Sequence, residues 1–356
     1  MKKICFFIGN LNLTGGTERV TTVLANILVE QGYDVTILSI SEGLSPSFDV
    51  SPDIQLFQLF NTPVSMKLKF FSSINRIRRF VIENEIETFI VVDSISCIFT
   101  APALFGLDVN HICWEHFNFK FNFGSKFRDL GRKIATLRCN CIVTLTKIDA
   151  EQWHCYYKKT KANIITIYNP SPYQVQEVTP IKDTKIVVCV GRLSYEKGVD
   201  LLLDAWARVI LNKSDWCLKI IGHGAELDNL KQKSIDLKIQ NSVYFEGEVS
   251  DVTTYYRDAN FLCLPSRNEG FGMVIIEANS FGLPVLAFDI ETGPRELIVE
   301  GTGHRVKPYD IEEFSKNILK MMNMTNSEYK QYSIECKKNM LNFSKETILS
   351  HWKDVL

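Results

Sequence analysis

The sequence predicts an α/β protein built from two doubly wound, parallel-sheet domains. Three observations carry this. Short, almost continuously apolar runs alternate with helical patterns through both halves of the chain. The runs lack the strict in–out alternation of a half-exposed sheet, so they read as strands covered by helices on both faces. Residues 169–183 (NPSPYQVQEVTPIKD) hold three prolines and no helical period, and read as the linker between two repeats of the scheme.

Residues 3–8 (KICFFI) give the first strand and 19–31 the first helix. The runs at 34–40, 89–93, 111–114 and 141–145 are further strands of a first domain, residues 1–168. In a second domain, residues 169–343, strands fall at 185–190, 217–221, 243–245, 261–264 and 284–288. Its helices fall near 199–211, 225–237, 252–258, 273–281 and 311–322. The last segment, 344–356, spaces Ile348, Leu349, Trp352, Val355 and Leu356 helically, but pattern alone does not say where it docks.

The length of 356 residues suits two domains that each bury a core. With 46% hydrophobic and 23% charged residues the chain is ordinary globular protein, and its net charge of −1 argues against a nucleic-acid partner. The ten cysteines are scattered, form no CxxC pair and mostly sit in apolar runs. They read as buried free thiols in a reducing compartment, and no zinc site is expected. The apolar run after Lys3 ends at Gly9 after about six residues, short of the roughly 7–15 of a secretory core. No run approaches the ~18 residues of a membrane span, so a cytoplasmic protein is expected.

The richest segment is Ser266-Arg-Asn-Glu269-Gly270-Phe271-Gly272-Met273-Val274-Ile-Ile-Glu277. A strand ends, a glycine-bearing turn follows and a helix begins near Gly272. Helix starts favour phosphate, and Gly270 and Gly272 allow close approach to the backbone. Glu269 and Glu277 are eight residues apart, about 12 Å on a helix, too far for one acid/base pair. They suit the two ends of an elongated ligand with a diphosphate between them. On spacing alone, a helix-start charge and a solvated face serve as well. A second segment, Gly-Arg192-Leu-Ser-Tyr-Glu-Lys197-Gly, puts two cations after a strand, where open α/β sheets bind ligands. They can neutralise a diphosphate, or be plain surface charges.

Three weaker signals accompany these. Gly15-Gly16-Thr-Glu-Arg is a glycine turn into a helix without the GxGxxG spacing, and no P-loop occurs. His116 follows a strand and can contact a hydroxyl or phosphate, or be structural. The loop Gly222-His-Gly-Ala-Glu226 and the strand Phe245-Glu-Gly247 can frame a nucleobase, or be tight turns. No Asp-x-Asp triplet is present, so the positive charge at a diphosphate is expected from Arg192, Lys197 and helix amides, with no metal.

In order and spacing these motifs resemble the retaining, GT-B-fold glycosyltransferases of family 4 over nearly the whole chain. The resemblance implies two Rossmann-like domains facing each other across a cleft, with the final helix (344–356) returning to the first. It implies that Arg192 and Lys197 bind the donor diphosphate, Glu277 the ribose and Glu269 the transferred sugar. Gly270, Phe271, Gly272, Met273 and Val274 would line the donor, and Gly222, Glu226 and Gly247 its nucleotide. Gly16 would close on the diphosphate, and His116 would stand near the transferred sugar and acceptor. Retention would proceed by front-face attack without a protein nucleophile or a cofactor.

The opening residues and CWEHFNF are similar to bacterial capsule, exopolysaccharide and O-antigen enzymes. Their donors are UDP-hexoses or UDP-N-acetylhexosamines, and their acceptors saccharides or polyprenyl-diphosphate saccharides at the inner membrane. Segments 65–80, with five cations and no acid, and 117–138, with six cations, one acid and Phe117, Phe119, Phe121, Phe123 and Phe127, can dock on anionic lipid. Equally, Phe127, Leu130, Ile134 and Leu137 fit one helix face packed on a core. A UDP-sugar epimerase or hydrolase, a hydride-transferring enzyme and a non-catalytic nucleotide-sugar-binding subunit are the alternatives. None of them accounts for the full motif set.

Overall fold

The chain forms two all-parallel sheets, each wound outward and back. The computed structural model describes residues 1–65, 68–122, 124–177, 182–249 and 251–356. Residues 178–181 of the linker, Met66 and Lys67 of the first basic segment, and Phe123 of the second lie outside the described residues. The chain divides into two compact units, Met1–Pro172 with Lys345–Leu356, and Tyr173–Ser344.

The first unit runs β1 (Lys3–Ile8), α1 (Gly16–Glu30), β2 (Asp34–Ser41), β3 (Gln55–Phe60), α2 (Phe70–Glu83) and β4 (Thr88–Val92). It continues with α3 (Cys97–Leu104), β5 (Asn110–Trp114), α4 (Lys126–Arg138), β6 (Cys141–Thr144), α5 (Lys147–Tyr156) and β7 (Asn163–Thr166). The strand order is β3-β2-β1-β4-β5-β6-β7. Alternate residues of the strands face opposite helix layers. Cys5, Phe7, Phe89, Val91, Cys113 and Ile142 pack on one side against Ile77, Ala135 and Trp153 of α2, α4 and α5. On the other side Phe6 meets Trp114 with ring centroids 6.3 Å apart.

The second unit runs β8 (Ile186–Val190), α6 (Val199–Ile210), β9 (Cys217–Ile221), α7 (Leu227–Asp236), β10 (Val243–Gly247) and α8 (Thr253–Asp258). Then come β11 (Phe261–Leu264), α9 (Met273–Ser280), β12 (Val285–Phe288), α10 (Pro294–Leu297), β13 (Gly303–Val306), α11 (Ile311–Met322) and α12 (Asn326–Asn339). Its order, β10-β9-β8-β11-β12-β13, repeats the first sheet's reversal. Val187, Leu218, Phe261 and Leu286 form its core with Trp206, Phe314 and Ile318 of α6 and α11. Burying each such large side chain contributes about 1.5–3 kcal/mol.

The final helix, α13 (Lys345–Lys353), belongs to the first unit. Trp352 is fully buried and lies edge-on to Trp114 at 5.2 Å. Asn110 donates to the Val355 carbonyl at 2.7 Å, and the Lys2 ammonium to that of Leu356.

The basic segment 117–138 differs from the core-packing reading of its apolar stripe. The core-facing side of α4 holds Arg128, Gly131, Arg132, Ala135 and Thr136, whereas Phe127, Leu130 and Leu137 are exposed. Ile134 alone of the stripe packs on the core, and the other three point outward because the half-buried Asp93 and the buried Glu115 claim the arginines. Arg128 pairs with Asp93 at 2.6 Å, and Arg132 lies 3.4 Å from Glu115, whose side chain has no exposure.

Candidate functional site

In a doubly wound sheet the loops after the two strands flanking the reversal diverge, and ligands bind beyond those strand ends. In the second unit these strands are β8 and β11. Arg192 and Lys197 follow β8, and residues 265–272 follow β11. Backbone contacts lock the neighbouring loops together. Leu193 donates to the His223 carbonyl at 3.0 Å, Glu226 to that of Leu193 at 3.0 Å, and Gly222 to that of Gly247 at 2.7 Å. Gly222 has φ +137°, and a Cβ there would lie 1.9 Å from the Gly191 carbonyl oxygen, so no other residue fits. The structure therefore brings Arg192, Gly222, Glu226 and Gly247 into one loop cluster.

Glu269 sits in the loop before α9, not on it. Only the interval from Met273 to Glu277 is helical, so the 12 Å estimate for the full spacing does not apply. Nor is Glu269 an outward helix charge: it is 7% exposed. Lys197 Nζ donates to both of its carboxylate oxygens, at 2.7 and 2.8 Å, and the Ser266 hydroxyl donates to one at 2.7 Å. The Thr292 hydroxyl holds the Glu269 carbonyl. The sequence reading puts Glu269 with the sugar and Lys197 with the diphosphate. The structure joins them in one charge-assisted pair.

Around this pair, Arg192 is exposed, and a shallow recess is lined by Gly191, Arg192, Lys197 and Ser266. Gly272 caps α9 with φ +92°, a left-handed turn that suits glycine, and Met273 opens the helix. Gly270, Phe271 and Val274 flank that start, with Phe271 buried. The positive end of a helix dipole favours an anion there. Glu277 is not on a solvated face. It is 3% exposed and accepts a hydrogen bond from Tyr256 Oη at 2.9 Å. Arg267, a residue the sequence reading passed over, ties the two loops. It grips Asp200 bidentately at 2.7–2.8 Å, donates to the Tyr195 carbonyl at 2.7 Å and lies 4.0 Å from the Tyr195 ring centroid.

In the first unit Gly16 opens α1 and is exposed. His116 follows β5 and leans on Trp114, with ring centroids 4.4 Å apart. Burial pushes its pKa down to about 3, so the imidazole is neutral at physiological pH. Its Nε2 is buried without a hydrogen-bond partner among the described residues. A buried polar atom of this kind is rare in the absence of a ligand or water.

Residues 174–339 match the family described as glycosyl transferases group 1, and residues 14–171 match glycosyltransferase family 4. The chain is 38% identical, over the full length of both proteins, to an uncharacterized glycosyltransferase of Haemophilus influenzae. It belongs to the family 4 glycosyltransferases. It is also 28% identical, again over the full length of both, to the amylovoran biosynthesis glycosyltransferase AmsD of Erwinia amylovora. A point mutant of TarM from S. aureus, solved with fondaparinux, alpha-GlcNAc-glycerol and UDP, superposes with a TM-score of 0.84 at 16% identity. That match covers 100% of this chain and 99% of TarM, and shows the shared fold of two Rossmann-like domains.

In this glycosyltransferase a buried polar network shapes the loop that carries His116. Arg132 donates to the carbonyls of Asn118 at 3.0 Å, Phe121 at 3.4 Å and Phe119. The Phe119 amide donates to Asp149 at 2.7 Å, while Glu115 accepts from the Phe117 amide at 3.1 Å and from the Ser94 hydroxyl. Arg128 stacks on Phe117, 4.2 Å from its ring centroid. Burial raises Asp93 to about 6, opposed by Arg128. Sequence reasoning took these arginines for surface charge. Nothing in a single sequence marks Glu115 as their buried partner.

Proposed function

We propose that this glycosyltransferase moves a hexose or N-acetylhexosamine from a UDP-sugar to a saccharide or polyprenyl-diphosphate-linked saccharide, with retention and without a metal, in bacterial surface polysaccharide synthesis. The Lys197–Glu269 pair beside Arg192 and the start of α9 carries the reading. A diphosphate there meets two cations and a helix terminus, and a buried carboxylate is held ready for sugar hydroxyls. We assign Glu277 to the ribose, Gly222, Glu226 and Gly247 to the nucleotide, Gly16 to the diphosphate and His116 to the acceptor and transferred sugar. The sugar–phosphate bond breaks toward UDP, whose developing charge Arg192 and Lys197 stabilise. The acceptor oxygen bonds the anomeric carbon on the same face, and its proton passes to the departing phosphate oxygen. The name of the amylovoran relative and the UDP in the TarM complex support the process and the donor class.

Calorimetry with UDP, GDP and ADP in EDTA tests the donor site. Saturable binding of UDP is expected, with GDP and ADP at least tenfold weaker. Absence of nucleotide binding would remove the diphosphate assignment.

We further propose that the outward face of α4 docks on anionic lipid. Phe127, Leu130 and Leu137 are 41–45% exposed and interleave with exposed Lys126, Lys133 and Arg138. Each basic residue near such a surface contributes about 1 kcal/mol, and the apolar side chains add burial. Sedimentation with phosphatidylglycerol vesicles, but not phosphatidylcholine vesicles, is expected, falling at least tenfold in Phe127→Ser/Leu130→Ser. Equal sedimentation of the wild type with both vesicles would refute the lipid face.

A further inference from the structure

The fold gathers three of the scattered cysteines and a histidine into one buried cluster, inside the first unit and outside the transfer machinery. Cys97 opens α3, His111 and Cys113 share one face of β5, and Cys139 caps the end of α4. All four are buried. Cys97 Sγ lies 3.9 Å from Cys139 Sγ, and Cys139 Sγ lies 3.6 Å from His111 Nδ1 and 3.9 Å from Nε2. One ligand atom from each of Cys97, His111 and Cys139 falls within 4.8 Å of the other two.

We propose that Cys97, His111 and Cys139 form a structural zinc site, with Cys113, on the same face of β5 as His111, moving in as the fourth ligand. Tetrahedral Zn–S bonds of about 2.3 Å and a Zn–N bond of about 2.0 Å place sulfurs roughly 3.8 Å apart and sulfur and nitrogen roughly 3.5 Å apart. The Cys97–Cys139 separation of 3.9 Å and the Cys139–Nδ1 separation of 3.6 Å are close to these values, and the imidazole must turn to aim Nδ1 at the metal, because Cys139 Sγ also lies 3.9 Å from Nε2. A metal on Nδ1 requires the imidazole proton on Nε2, and the Thr100 hydroxyl stands 3.0 Å from Nε2 to accept it. That outer hydrogen bond is the usual support of a metal-bound histidine. Loading converts three thiols to thiolates and releases three protons, which leaves one net negative charge on a Cys3His set. The ligands come from α3, β5 and the end of α4, so the metal would staple two helices to the sheet. Spacing rules miss it because positions 97, 111, 113 and 139 contain no short metal-binding repeat. No step of sugar transfer runs through this site, so its failure would leave the proposed function untouched.

Full-length protein made in zinc-supplemented medium and desalted without chelator provides the test, by native mass spectrometry and elemental analysis. One zinc per chain is expected. Cys97→Ser and Cys139→Ser should each cut the content at least tenfold, and Cys155→Ser, at an exposed cysteine, should leave it intact. Should the core variants not fold, the wild type decides alone. Unfolded with chelator and refolded with one equivalent of cadmium, it should gain thiolate-to-metal absorption in the ultraviolet. Zinc below a tenth of an equivalent together with no cadmium band would overturn the proposal. So would a mass loss of two hydrogens, from a Cys97–Cys139 disulfide, in the freshly isolated protein.

Discussion

Lys197→Ala and Glu269→Ala should each lower kcat/KM for sugar transfer by about a thousandfold, roughly 4 kcal/mol of transition-state stabilisation. The double variant should fall no more than about tenfold further. The Lys197 ammonium makes both of its short contacts to the Glu269 carboxylate, so either substitution dismantles the same unit. Without Lys197, the buried carboxylate keeps the Ser266 hydroxyl but loses its cation. Without Glu269, the ammonium is free to swing out of register with a diphosphate. Steady-state kinetics on the two single variants and the double closes the cycle. Losses that simply add would show two independent groups, one for the diphosphate and one for the sugar.

Arg132→Met should destabilise the protein by about 3–5 kcal/mol, because it strips the cation from a buried carboxylate and from several loop carbonyls at once. The Arg132 side chain is 2% exposed and that of Glu115 is not exposed at all. Arg128, 3.7 Å from Glu115, remains, which favours the lower end of that range. Thermal unfolding should show the midpoint fall by on the order of 10 °C, since 1 kcal/mol shifts a unit of this size by about 2–4 °C. Arg138→Met, at an exposed end of the same helix, should stay within about 0.5 kcal/mol. The Arg132 variant should also lose transfer rate, because the freed carbonyls belong to the loop that follows His116. A midpoint unchanged by Arg132→Met would mean that the network shapes nothing.

The parallel-sheet fold was legible because buried strands such as β1 and β8 are unbroken apolar runs, and helices such as α11 keep a clean period. The amphipathic α2, with α5 and the short α10, was missed as well, but several of the elements missed are ones that pattern does not mark. β3 and β7 lie at the edges of the first sheet, and β13 at an edge of the second. α3 is apolar throughout and holds Pro102, so it carries no periodic stripe. α12 is largely polar, although Thr325 and Glu328, which form a capping box, were a readable start signal. The donor-side residues were legible because their motifs are local in sequence. What joins them is not local. Lys197 meets Glu269 across 72 positions, and Arg128 meets Asp93 across 35. The core-packing reading of the α4 stripe failed for the same reason. Amphipathic spacing gives a helix two faces, but only the half-buried Asp93 and the buried Glu115 determine which one turns inward.

The most direct test is donor turnover by the full chain in EDTA, across a panel of UDP-sugars, followed by nuclear magnetic resonance. One donor should release UDP and, slowly, the free sugar, first in the anomeric configuration of the donor, with Glu269→Ala inactive. Inversion of the sugar, dependence on added divalent metal, or release of sugar unchanged by Glu269→Ala would contradict the retaining, metal-free site built around Lys197 and Glu269.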